Sequence, residues 1–454
     1  MADSRAVVVG GGLAGVAAAL RLADGGREVV LLEKRPRLGG AAFSFTRDGL
    51  SVDNGQHVFL RCCEAYRWLL ARLDVEDDVV LQPRLDIPVL RPDGRRGRLS
   101  RLPGVPAPAH LGAALAGYGL LGPADRLRVI RGALALRSLD PTDRRLDQRT
   151  LAAFLREHGQ NDATINGLWG ILATATLNLP PDEASLALAA KVFRTGLLDH
   201  ASAADIGYAS VPLGSLHSSA TRDALAAAGV ETLVGHSVEA IEPGGVVRAR
   251  GSDGVRSWVS DTVVLAVPHR EAFAAAPALA TSGAARATGL GASPIVNVHI
   301  LYDRRVTDLP FAAAVDSPVQ WFFDRTGSSG LAAIRPQGQY LAITVSAAES
   351  VIDQPSRDLR HRYVAELAQL LPAARGAEVL DAFVTRERRA TFRQAVGTWA
   401  LRPGAAAGPD GVWLAGAWTD TGWPDTMEGA VRSGITAAEA ALQIPAHQAT
   451  EFAA

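Results

Sequence analysis

Gly10-Gly11-Gly12-Leu13-Ala14-Gly15 constrains this chain more than any other stretch. The glycines at 10, 12 and 15 stand between an apolar run, Ala6-Val7-Val8-Val9, and Leu13–Asp24, whose apolar residues recur at helical spacing. Gly25-Gly26 ends that helix, and Glu28–Glu33 follows as a second strand around Val29-Val30-Leu31-Leu32. The pattern predicts a βαβ unit beginning with the strand Arg5–Val9. Gly10 permits the tight turn, Gly12 lets the backbone approach a pyrophosphate, and Gly15 lets helix and strand pack closely. The helix N-terminus turns its partial positive charge toward the phosphates. Glu33, at the end of the second strand, suits a carboxylate accepting from ribose hydroxyls, with Lys34 beside it. Dinucleotide binding through Gly10, Gly12, Leu13, Ala14, Gly15, Glu33 and Lys34 is the expectation.

The rest of the composition narrows the class. A chain of 454 residues is expected to form two or three domains. Its net charge is −1, so no polyanion is indicated and no nucleic acid partner is read. The two cysteines are the neighbours Cys62 and Cys63, which bridge only with strain, and a reducing cytoplasm is their natural setting. No hydrophobic signal core precedes Ala6. Leu102–Ala124 lacks Asp, Glu, Lys and Arg but is broken by Pro103, Pro106, Pro108 and Pro123. It reads as an interfacial or buried segment, not a span.

Helices are predicted over Glu64–Leu73, Ala124–Leu139, Thr150–His158, from an Asp182 cap to Leu197, and over Gly214–Ala228, Arg357–Leu371 and Met427–Leu442. Strands are predicted at Val230–Val234, Val246–Arg250, Thr262–Val267, Ile295–Tyr302, Val319–Phe323, Tyr340–Val345, Val379–Val384 and Val412–Ala415. Nucleotide-binding character at both ends and in the middle implies interleaved domains.

Further motifs refine the cofactor. Arg37-Leu38-Gly39-Gly40 follows Glu33, and Gly416-Ala417-Trp418 precedes Thr426-Met427-Glu428-Gly429-Ala430 at the start of a helix. Together these resemble the two flavin-binding motifs of the amine oxidase and carotenoid desaturase superfamily. This chain departs from that pattern with Ala41 where an arginine is usual and Ala417 where an acidic residue is usual. The resemblance implies FAD held by Arg37, Gly39, Gly40, Ala41, Gly55, Gln56, Val238, Gly416, Thr426, Met427 and Ala430 as well as the first fingerprint. The helix beginning near Met427 would direct its N–H groups at the flavin. No metal enters this reading.

Asp53-Asn54-Gly55-Gln56-His57, Leu168-Trp169-Gly170, Thr176–Ser185, Pro212–Leu216 and Asp420-Thr421-Gly422-Trp423-Pro424 resemble the hydroxysqualene dehydroxylase family, also called squalene-associated FAD-dependent desaturases. The resemblance implies an α/β architecture: a Rossmann-like FAD-binding domain interleaved with an α+β substrate domain. The FAD domain would comprise 1–90, 215–280 and 400–445, and the substrate domain 91–214 and 281–399. It implies a reductive step in bacterial squalene and hopanoid synthesis, in which an allylic alcohol loses its hydroxyl and gains a hydride. His57 is the first candidate acid, because imidazole can donate at neutral pH. Asp420 and Asp425 come second, or cap turns before the last helix. Gln56 orients substrate or flavin, or bonds backbone. Trp169, Trp399, Trp418 and Trp423 are candidates for an apolar substrate tunnel, or for core. A hydrophobic triterpenoid substrate would come from the inner face of the plasma membrane, with 102–131 as the contact segment. One fingerprint is present and FAD fills it, so the external electron donor stays open. A carotenoid desaturase is the alternative, and a non-catalytic prenyl-lipid binder a further one. An amine oxidase is disfavoured by Thr426, where an aromatic would stand.

Overall fold

The computed structural model describes residues 5–443. Arg5–Val9 (β1) and Glu28–Glu33 (β2) lie parallel, with Val7 opposite Val30, and Leu13–Asp24 (α1) crosses between them. Glu231–Val234 pairs beyond β2, while Thr262–Leu265 and then Val412–Leu414 pair beyond β1, completing a five-stranded parallel sheet. Alternation along the strands explains its two cores. Ala6, Val8, Val29, Leu31 and Val264 face α1 and the helix Met427–Ala441. Val7, Val9, Val30, Leu32 and Leu265 face an antiparallel three-stranded sheet built from 237–259. Both faces are covered, which is why these strands read as unbroken apolar runs. A Cβ at Gly434 would fall 2.0 Å from the Ala14 carbonyl oxygen, so the two helices cross with their backbones touching.

The second body is a seven-stranded sheet in the order Val379–Phe392, Ala292–Tyr302, Gln339–Val345, Trp321–Asp324, Phe311–Ala314, Asp86–Leu90, Arg96–Ser100. Val298, Ile300 and Ile343 meet the helix Ser356–Leu370 on one face. Ile87, Val89, Phe311 and Phe323 meet the helices of 123–198 on the other. The expected domain limits shift accordingly. Asp86–Leu90 is a strand of the seven-stranded sheet, whereas Ala284, Ala287 and Leu290 pack on the nucleotide-binding sheet. Asp182 does not cap a helix, because its carboxylate turns to Arg156. Residues 181–183 form a turn, Ala184 and Ser185 bridge Ala395 and Thr150, and the helix begins at Leu186.

Candidate functional site

The Gly10–Gly15 loop sits where β1 turns into α1. Gly10 has φ +108°, and a Cβ there would meet Ala266 O at 2.4 Å; one at Gly15 would meet Gly10 O at 1.8 Å. These two glycines are required by the fold itself. Gly12 is different. Its φ of −79° suits any residue, and a Cβ would meet only Gly40 Cα, at 3.6 Å. Neither conformation nor protein packing demands glycine there, so the space it leaves open fits a ligand's close approach. Gly12 caps α1 with no side-chain hydrogen bond and no acid in the first turn, which leaves donors and the helix dipole facing outward. Leu13 and Ala14 are buried on that first turn.

Glu33 is 7% exposed and accepts from Gly11 N at 2.7 Å and Arg35 N at 2.8 Å. Two donors per carboxylate leave further lone pairs for hydroxyls. Lys34 is exposed beside it. The Gly39-Gly40 segment lies against the first loop: Gly39 N donates to Gly11 O, and Gly40, at φ +58°, would bring a Cβ 2.8 Å from Gly12 Cα. Arg37 stacks 3.6 Å from the Phe43 ring centroid and donates to Gly40 O. At the other end of the chain, Gly416 has φ +129° and donates its N–H to Ser433 Oγ, while Thr426 caps the last helix by accepting from Gly429 N. Met427 and Ala430 pack beside that terminus on the core beneath α1. Val238 pairs with Ala249 next to a bulge that leaves a residue outside the ladder. Open Gly12, uncapped α1 and the part-satisfied Glu33 carboxylate fit a dinucleotide.

Asp53–His57 joins this cradle to the seven-stranded sheet. Asn54 is the tie. Its Nδ2 donates to Ala41 O and Glu387 Oε1, and its Oδ1 accepts from Phe43 N. Its carbonyl accepts from Asn297 Nδ2 and Thr385 Oγ1. Asp53 is held by Arg325 (Oδ2 to Nη2, 2.6 Å), Ser44 and Leu213 N. Gly55 sits against Asn297.

From this turn a cavity of about 450 Å3 runs under the seven-stranded sheet, with Leu60, Leu115, Trp169, Phe193, Trp321 and Phe323 among its apolar walls. Gln56, Thr344 and Ser346 are its polar groups beside the turn. The far wall comes from the helix Pro123–Arg137, where Ile130 and Leu134 line the cavity yet are 46% and 54% exposed. The cavity therefore reaches the surface at that helix.

Several expected residues fall elsewhere. Gln56, Val58 and Leu60 line the cavity, whereas His57 and Phe59 do not. Burial holds the His57 ring below its ordinary pKa, and Nδ1 lies 3.2 Å from Gly55 O. Burial therefore disfavours the charged form of this ring, whose expected role as proton donor stays a proposal. Asp420 pairs with Arg144 and accepts from Trp399 Nε1. Asp425 accepts from Phe392 N, and burial pushes its carboxyl up to about 6. Of the tryptophans, Trp169 lines the cavity and donates to Gln160. The other three stand outside it, each with a packing or hydrogen-bonding partner. Trp418 donates to Val267 O in the nucleotide-sheet core, Trp399 serves Asp420, and Trp423 lies between Lys191 and Arg432.

Asn297, Thr344 and Trp321 are the site residues that sequence reasoning passed over. An asparagine inside Ile295-Val296-Asn297-Val298 was the available signal, since a polar side chain on a buried strand needs a partner.

The fold and cradle fit a flavoprotein with a dinucleotide-binding sheet beside a second, seven-stranded sheet, and comparison with known proteins agrees. Residues 13–442 match the family described as flavin containing amine oxidoreductase, and the chain belongs to that family. It is an FAD-dependent oxidoreductase. A hydroxysqualene dehydroxylase of Rhodopseudomonas palustris is 30% identical over 96% of this chain and 97% of its own length. A probable zeta-carotene desaturase of Synechococcus elongatus is 24% identical over 97% of this chain and 99% of its own. Among solved structures, an oxidoreductase of Methanosarcina mazei superposes with a TM-score of 0.73 at 17% identity, covering 96% of this chain and 100% of that one.

Proposed function

We propose that this enzyme reductively removes the allylic hydroxyl of hydroxysqualene to give squalene, in the synthesis of hopanoids or related triterpenes. The observation that carries the reading is the apolar cavity whose polar end lies on a turn tied by Asn54 to the cofactor cradle. The long walls suit an isoprenoid chain, and the polar end suits an oxygen next to the reacting carbon. Bound and reduced, FAD supplies the hydride. Residues on Gly10–Gly15, Glu33–Ala41 and Gly416–Ala430 would hold it, with Gly55 and Val238 alongside, while Gln56 faces the cavity. Trp169, Trp321 and Phe323 exclude water, so the alcohol meets fixed protein dipoles in place of solvent. The reaction takes up one hydride and one proton and releases water.

The same cavity supports lipid delivery. Leu127, Ile130 and Leu134 are exposed on one face of Pro123–Arg137, with Arg131 and Arg137 exposed on the same helix. Arg126, by contrast, turns inward to Ala116, Tyr118 and Leu121 carbonyls. That face would rest on the anionic inner leaflet of the plasma membrane and take substrate through the cavity mouth. No helix among the described residues is long and apolar enough to cross a membrane.

The test is anaerobic. The reduced flavoprotein is mixed with hydroxysqualene in detergent, and flavin oxidation is followed together with mass spectrometry of the lipid. Squalene formed in step with oxidation is the expected result. Flavin that stays reduced refutes the reading, and conversion of phytoene or zeta-carotene by the oxidised enzyme would install the desaturase instead.

A further inference from the structure

We propose that the Gln56 side-chain amide is the hydrogen-bond donor that holds the substrate's oxygen at the cofactor end of the apolar cavity. This deepens the dehydroxylase reading and rests on it. Gln56 Nε2 is enclosed and has no hydrogen-bond partner among the described residues, although its side chain lines the cavity. An enclosed amide N–H without a partner is costly, and a ligand acceptor removes the cost.

The neighbouring polar groups give the amide its distinct role. Thr344 Oγ1 donates its hydrogen to Asn297 Oδ1 at 2.9 Å, and Asn297 Nδ2 donates onward to Asn54 O at 3.0 Å. Thr344 therefore offers only lone pairs to the cavity. Thr176, also on the wall, spends its hydrogen on Leu172 O. An alcohol both donates and accepts, so Gln56 serves its oxygen while Thr344 can receive its hydrogen. The turn beneath Gln56 is immobilised: Asn54 makes three side-chain hydrogen bonds to 41, 43 and 387, and Asp53 is locked to Arg325. The donor is thus held at a set position relative to the Gly39–Ala41 segment. It transfers no proton, so the stoichiometry is untouched. Its contribution is to fix which carbon faces the hydride and to stabilise the oxygen as the carbon–oxygen bond lengthens.

A hydrocarbon of the same skeleton leaves this amide unpaired, so the site should discriminate alcohol from hydrocarbon. The test is equilibrium binding of hydroxysqualene and of squalene to the oxidised holoenzyme in detergent, read by quenching of tryptophan fluorescence. The wild type is expected to prefer the alcohol by about five- to tenfold, the worth of one neutral hydrogen bond. Gln56→Met, of similar length and without donors, should bind both equally while keeping its flavin content and melting temperature. Should that variant lose its fold, Gln56→Leu removes the amide with a smaller side chain and should equalise the two ligands likewise. Ser346→Ala should keep the preference. A preference that survives loss of the amide, or that vanishes in Ser346→Ala instead, overturns this assignment while wild-type turnover of hydroxysqualene leaves the dehydroxylase reading standing. A wild type that neither prefers nor converts the alcohol overturns both.

Discussion

Replacing Arg325 by methionine tests whether the junction between the two bodies depends on a buried charge pair. Arg325 Nη2 lies 2.6 Å from Asp53 Oδ2, and the side chains are 9% and 5% exposed. Arg325 also donates to Ala209 O, and Asp53 accepts from Ser44 Oγ and Leu213 N. The methionine variant strands the Asp53 carboxylate in a site that water does not reach and leaves the Ala209 carbonyl short of a donor. Breaking one side of such a pair costs about 3–5 kcal/mol, mostly as an uncompensated buried charge. Adding Asp53→Asn should recover more than half of that loss, because a neutral amide still accepts from Leu213 N and Ser44. Urea denaturation of the holoprotein, followed by circular dichroism and by flavin absorbance, measures both. A single-variant cost below about 1 kcal/mol, or a double variant no better than the single, would refute the argument.

Three further outcomes are expected. Gly12→Ala should leave the apoprotein's melting temperature unchanged, since the new methyl meets only Gly40 Cα at 3.6 Å, but should lower FAD affinity at least tenfold in a titration of apoprotein. His217 and His299 are each held neutral by burial, at about 3 against an ordinary 6.5. The unfolded chain is then the better proton binder between those values, so their stabilisation is complete above 6.5 and drains away as the pH falls toward 3. Each adds a slope of roughly 1.4 kcal/mol per pH unit within that window. Asp425, raised from 3.8 to about 6, opposes one of them between those two values, because its contribution is lost as pH rises through 6. His217→Gln should therefore flatten the acid limb of stability against pH, and an unchanged limb would count against burial as the cause. Finally, Leu127→Asp with Ile130→Asp should abolish flotation with phosphatidylglycerol vesicles while sparing the fold, as both side chains are solvent-exposed; unchanged flotation removes that helix as the contact face.

Local regularity decided what could be read in advance. Leu13–Asp24 matches its predicted bounds because glycines mark both ends and the period is unbroken. Val379–Phe392 was read only as far as Val384, since Thr385–Thr391 is polar and Arg-rich. Its pairing with Ala292–Tyr302, across two register shifts, supplies the hydrogen bonds that its composition does not advertise. Asp86–Leu90 and Arg96–Ser100 are short, and Pro88 in the first weakens a strand reading. The candidate cofactor cradle was legible because its glycines lie in three compact clusters, at 10–15, 39–40 and 416–429. The cavity was not, for its walls come from 56–60, 85–134, 168–206 and 295–346. Nothing in the sequence around Trp169 or Trp418 distinguishes a cavity wall from a core, and only tertiary packing separates them. His57 illustrates the same limit: of two neighbours in sequence, Gln56 lines the cavity and His57 does not.

The backbone contact between Gly434 and Ala14 has a consequence for how the protein is made. The helix that begins at residue 13 rests on one that begins at residue 427, and Val412–Leu414 closes the sheet that β1 opens. During synthesis the first nucleotide-binding segments leave the ribosome long before their partners exist. Their apolar faces must wait, shielded by chaperones or by transient collapse, until more than four hundred residues have been translated. Truncation near residue 410 would remove a strand and a helix from the cofactor domain while leaving the substrate sheet whole in sequence. Such a fragment is expected in inclusion bodies, whereas circular permutants opened in a loop of the substrate body, with 441 and 13 held close, should shorten that wait and raise soluble yield.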